Sequence, residues 1–178
     1  MGIKKGLMAM TSRCTLKHIL WKTHLNKRYI KWTCNFNMDL PKKHTLVLRL
    51  LEVFGVLDGR TKLQKSVFLA QEQFGVSKLF TFQPLHYGPY SYDLNETVST
   101  LVSLGLVTEE VVLSGSCKTY NYRITESGKK LLSGTNSKND ELANGLSSLH
   151  EFVCKFKNPQ QLIAYVYNKF PTQSGISK

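Results

Sequence analysis

Apolar residues recur along this chain at two periods, and the switches between them mark its elements. From His44 to Leu57, Leu46, Leu50 and Val53 or Phe54 fall at helical spacing. Val47 and Leu51 widen the stripe, and Gly55 and Gly59 mark the end of this first helix. Thr61 then opens a second helix, with Gln64 three residues on completing a capping box. Leu63, Val67, Ala70 and Phe74 line its apolar face, and Gly75 stops it. Phe80 and Phe82 alternate with polar neighbours like a short strand. Gly88-Pro89 punctuates, and Ser91 is placed to cap a third helix carrying Leu94, Val98, Leu101 and Leu104, with Gly105 just past its end. Asp93 in its first turn suits the helix dipole.

The period then shortens to two. Leu106–Leu113 is an apolar strand, Ser114-Gly115-Ser116 a turn, and Lys118–Ile124 a second strand. Tyr120, Tyr122 and Ile124 alternate there with Thr119, Asn121 and Arg123. Thr125 caps a short helix holding Leu131 and Leu132. A hairpin that leaves one helix and enters another reads as the wing of a winged helix-turn-helix. The predicted class is therefore α+β, a winged helix-turn-helix domain over residues 38–134. Ser133 to Asn139 has the composition of a linker. Beyond it a C-terminal helical extension is expected over residues 140–171. In its first helix Leu142, Leu146, Leu149, Val153 and Phe156 are spaced 4, 3, 4 and 3 apart, an a/d seam that suits dimerisation. The seam spans barely two heptads, so packing on its own domain is an open alternative. Asn158 caps the last helix, with Pro159 at its first position and Gln161 at the third, and Pro171 ends it.

Charge is distributed unevenly over the 178 residues. The net charge is +12. Residues 1–43 hold ten Lys or Arg against one acid, which is +9; residues 44–178 hold fourteen against eleven, which is +3. The pI of the whole chain therefore overstates the basicity of its body. Residues 1–37, free of Asp and Glu, admit three readings: a basic arm, a mitochondrial presequence, or non-native sequence ahead of a start at Met38. Cys14, Cys34, Cys117 and Cys154 lie far apart and read as reduced thiols of a cytoplasmic protein. Cys14 with His18 and His24 matches no zinc-finger spacing, so no metal is expected. No apolar run approaches the ~20 residues that would cross a bilayer. A phosphate loop, a nucleophile elbow and an H-E-x-x-H helix are all missing, which points away from catalysis and from a cofactor.

Four stretches resemble the YwgA-type family of small prokaryotic winged-helix proteins. They are Gly59-Arg60-Thr61-Lys62-Leu63-Gln64-Lys65, His86-Tyr87-Gly88-Pro89-Tyr90-Ser91, Leu101-Val102-Ser103-Leu104-Gly105-Leu106-Val107, and Tyr122-Arg123-Ile124-Thr125-Glu126-Ser127-Gly128. The LQK helix followed by a YGP turn is also similar to the Panacea domain of bacterial antitoxins. These resemblances imply transcriptional regulation or partner binding, with no catalytic residues to transfer.

Two functions compete. A DNA-binding regulator would grip double-stranded DNA through Arg60, Lys62 and Lys65 at the second helix, and through Lys118, Tyr120 and Arg123 on the wing. Asn95 would be the one base reader on the third helix. That helix, Tyr92 to Leu104, has no Lys or Arg but carries Asp93 and Glu96, an unfavourable face for phosphates. The gap from Phe74 to Ser91 also far exceeds the 3–4 residues of an ordinary helix-turn-helix turn. A protein-interaction module, an antitoxin or adaptor, would instead use Tyr87, Tyr90 and Tyr92. More often such rings brace a turn against the core.

Overall fold

The structure, a computed structural model, describes residues 40–114, 117–134 and 140–174. The basic arm, Cys14, His18, His24 and Cys34 lie outside the described residues, as do the turn residues Gly115 and Ser116 and most of the expected linker. The architecture is mixed α+β. Helix α1 (Lys42–Phe54) leads into a two-residue strand, β1 (Leu57–Asp58), and then α2 (Arg60–Gln73). A short hairpin, β2 (Gln83–Leu85) and β3 (Gly88–Tyr90), precedes α3 (Tyr92–Ser103). The long hairpin β4 (Val107–Ser114) and β5 (Cys117–Ile124) follows, then α4 (Glu126–Gly134), α5 (Asp140–Val153) and α6 (Pro159–Lys169).

Strand β1 pairs antiparallel with β5, Leu57 opposite Tyr122, so the three-stranded sheet runs β1-β5-β4. Burial follows from that register. Leu57 and Tyr122 face the core together, whereas the distal part of β4 is solvent-exposed: Leu113 is 68% exposed. The first helix stops at Phe54, three residues earlier than its apolar run implied, because Gly55 takes φ +67° and Leu57 enters the sheet.

Helix α2 is buried at every position from Leu63 to Gln71. It packs against α5, α6, β3 and the sheet, so it has no solvent face over that stretch. This overturns the capping box. Gly59 occupies the cap position without a side-chain bond, and Gln64 turns inward. The expected strand at Phe80 and Phe82 is also displaced, since pairing begins only at Gln83. Phe80 is held instead by Gln71, whose Oε1 accepts from the backbone of Leu79 (3.0 Å) and Phe80 (2.9 Å) while its Nε2 donates to the Phe80 carbonyl (2.9 Å).

Other local expectations hold. Ser91 Oγ accepts from Leu94 N at 3.2 Å and starts α3. Gly105 takes φ +67° after α3. Thr125 Oγ1 accepts from Gly128 N (3.1 Å) and donates to the Gly105 carbonyl (2.8 Å), tying the start of α4 to the end of α3. Asn158 Oδ1 accepts from Gln161 N at 2.9 Å.

The α5 seam is not an exposed dimer face. Leu146, Leu149 and Val153 are buried against the molecule's own α1 and α2, and Leu142 and Phe156 pack partly buried on the same core. Gly145 shows how close that packing is: a Cβ there would stand 2.5 Å from the Phe74 carbonyl oxygen. Helix α6 also lies on α2. No helix among the described residues is long and apolar enough to cross a membrane.

Candidate functional site

Three side chains of α2 organise the segment that leads to α3. Gln64 grips Ser91 through both backbone groups: its Oε1 accepts from Ser91 N and its Nε2 donates to Ser91 O, each at 2.9 Å. Gln71, two helical turns away, grips Phe80 in the same manner. Lys65 lies between them, with its Nζ donating to the Pro89 carbonyl at 2.7 Å. A long connection thus gains fixed ends, because buried amides satisfy backbone groups that a short turn would have paired internally.

The β2–β3 hairpin projects between those clamps. Gly88 adopts φ +82°, a conformation that a side chain would strain. The Lys65 Cε and Nζ lie 3.5 Å from where its Cβ would be. Tyr167 from α6 donates its hydroxyl to the His86 carbonyl at 2.5 Å, bracing the hairpin from the other side. Between hairpin and helix lies a cavity of about 260 Å³ lined by Leu85, His86, Tyr87, Gly88 and Tyr90 and by Arg60, Thr61, Gln64 and Lys65. Its surface is mostly apolar. Burial pushes the Lys65 ammonium down to about 8. Tyr87 at the cavity is 72% exposed and Tyr92 59%, and the Tyr92 ring meets Tyr90 edge-on at 5.0 Å. Tyr90 itself is half-buried.

The basic residues expected to hold phosphate do not form one open positive face. Arg60 stacks its guanidinium on Tyr120, 3.8 Å from the ring centre. It donates to Tyr122 Oη and to Glu109 Oε1, both at 3.1 Å. The Tyr122 hydrogen bond, working against burial and joined by Glu109, holds the Arg60 pKa above its ordinary value. Tyr122 donates to the same carboxylate at 2.6 Å, and burial raises its own pKa. Lys62 pairs with Asp58 at 2.6 Å, and Arg123 lies 3.8 Å from Glu110. Lys118 and Asn95 are exposed, on β5 and α3 respectively. Lys65 as a phosphate contact is a correction, since at 2% exposure its ammonium sits under the hairpin and cannot reach a duplex backbone.

No protein-family model matches the chain. It is 27% identical over 125 residues to the uncharacterized protein YwgA of Bacillus subtilis (strain 168). The match covers 70% of this chain and 74% of that protein, which fits the YwgA-type kinship expected from the four motifs.

Of the three tyrosines singled out in the sequence, Tyr90 and Tyr92 meet edge-on, and Tyr87 and Tyr90 line the cavity. Sequence reasoning missed Gln64, Gln71 and Leu85. A signal was present: two glutamines seven residues apart lie on the same side of a helix, here beside its apolar stripe. Among the described residues no cluster of three or more His, Cys, Asp or Glu is placed to hold a metal ion.

Proposed function

We propose that this chain is a winged-helix protein-interaction module, an adaptor or antitoxin-like component, that binds its partner through the β2–β3 hairpin. The winged-helix reading draws support from the element order α1-β1-α2-α3-β4-β5 and the sheet order β1-β5-β4. The observation that carries the functional reading is Lys65. Its burial removes the centre of the positive surface a duplex would need, and it builds a cavity beneath exposed tyrosines instead. The wing adds to this, because Val111 and Leu113 near its tip are exposed apolar residues where a phosphate-gripping wing would carry Lys or Arg.

A second reading, a DNA-binding regulator, keeps one specific observation. Lys118 is exposed on the wing and forms no ion pair among the described residues.

Two measurements on the full chain decide between them. A photo-crosslinking residue at Tyr87 should capture a discrete polypeptide in the native cell, whereas one at Glu96 on α3 should not. Duplex affinity across a salt series should show the same log–log slope for the wild type and for a Lys62→Gln, Lys118→Gln, Arg123→Gln variant. A slope lower by about 0.9 for each residue removed would establish the DNA reading.

A further inference from the structure

Lys65 is the one buried charged side chain among the described residues. It forms no ion pair with any of them. Of its three N–H donors, one is used by the Pro89 carbonyl. Lys65 therefore lines an apolar cavity without a counter-charge, an arrangement that is costly unless an anion completes it. The other cation at this cavity is already committed, since Arg60 is bound to Glu109 and Tyr122 and stacked on Tyr120.

We infer that the cavity receives the last residue of a partner polypeptide, with its chain-terminal carboxylate on the Lys65 ammonium and its apolar side chain against Leu85 and Tyr90. The inference rests on the hairpin being the contact surface proposed above. One uncommitted cation matches one negative charge; a phosphate dianion would carry a second charge into apolar surroundings. At about 260 Å³ the cavity has room for a single residue. A free acid would leave Tyr87 and Tyr92 uncovered beside the opening. A chain running out of the cavity would cross them, and exposed tyrosines favour such contacts. Lowered only to about 8, the Lys65 pKa still leaves the ammonium charged at neutral pH.

The test uses the full chain and heteronuclear NMR titration, following the amides of Tyr87 and Gly88. Three probes are compared at pH 7: acetyl-Ala-Ala-Phe as the free acid, the same peptide as its C-terminal amide, and phenylacetate. The acid should bind at least tenfold more tightly than either of the others. Lys65→Met should lose at least tenfold for the acid and leave the amide unchanged, with thermal unfolding of the same sample confirming its fold. Equal affinity for acid and amide on the wild type needs no variant and would overturn the inference. Phenylacetate binding as tightly as the peptide acid would overturn it too, in favour of a small free acid. If the Tyr87 crosslink finds a polypeptide while acid and amide bind alike, the contact surface stands and only the terminal-carboxylate inference falls. If the crosslink finds none, both fall.

Discussion

Lys65 ties stability to pH in a direction opposite to most lysines. Burial takes its pKa from the ordinary 10.5 to about 8. Below pH 8 both the folded and the unfolded chain hold the proton, and the folded state bears the whole penalty. Between pH 8 and 10.5 the unfolded chain binds a proton that the folded one has released, so stability rises with pH. The difference corresponds to a penalty on the order of 3 kcal/mol. Lys65→Met removes it but leaves the Pro89 carbonyl without its donor, which costs about 1 kcal/mol. The variant should therefore melt roughly 4–8 °C above the wild type at pH 7, and the gain should disappear before pH 10.5 is reached. A scan showing the gain undiminished at high pH would place its origin elsewhere. Gln64 is the complementary case. Gln64→Ala strands the backbone N–H of a fully buried Ser91, whose carbonyl keeps the Asn95 N–H at 3.3 Å, and should cost about 1–3 kcal/mol in denaturant unfolding. Spacing placed Gln64 beside Gln71 on one side of α2, but neither role was legible from it. Both residues are polar, and the return of a distant hairpin over α2 decides that they face inward.

At the scale of elements, end signals were legible and partners were not. Ser91, Thr125 and Asn158 start their helices as their chemistry dictates, because a cap bonds to backbone only a few residues away. Thr61 fails in that role because α2 already begins at Arg60 with Gly59 at the cap position, and Gln64 bonds Ser91 instead. The α5 stripe was read correctly as apolar, but its spacing alone cannot tell a second copy from the molecule's own α1 and α2. The distinction is testable. Leu146→Glu would place an unpaired carboxylate at a fully buried site, so circular dichroism should report loss of the fold. A folded monomer would restore the dimer reading. Gly145→Ala is sharper. Alanine in place of glycine ordinarily favours a helix by about 1 kcal/mol. Here its methyl meets the Phe74 carbonyl, and a loss of about 1–3 kcal/mol is expected by denaturant titration.

Across the whole molecule, the charge account and the class were readable and the assembly of the site was not. The near-neutral body inferred from composition reappears as local pairs: Arg60 with Glu109, Lys62 with Asp58, Arg123 with Glu110. Exposed pairs of this kind contribute ~0–1 kcal/mol each, so they shape the surface potential more than stability. The α+β class followed from the two apolar periods, but β1 is two residues long and was invisible to any periodicity. The C-terminal pair was set apart as an extension, yet α5 and α6 cover the two central helices. Ending the chain after Gly134 should therefore abolish cooperative thermal unfolding, and a sharp transition in that truncated chain would mean the extension is dispensable.

The paired glutamine clamps also bear on how this surface can change over time. Gln64 and Gln71 hold Ser91 and Phe80 by main-chain N–H and carbonyl groups, which every amino acid except proline possesses. The stretch between those anchors is thereby released from dictating the register of the helices on either side. It behaves as an exchangeable cassette, in which the exposed tips at His86 and Tyr87 can vary in chemistry while the frame beneath stays constant. Substitutions at those tips can then accumulate without each one requiring a new core.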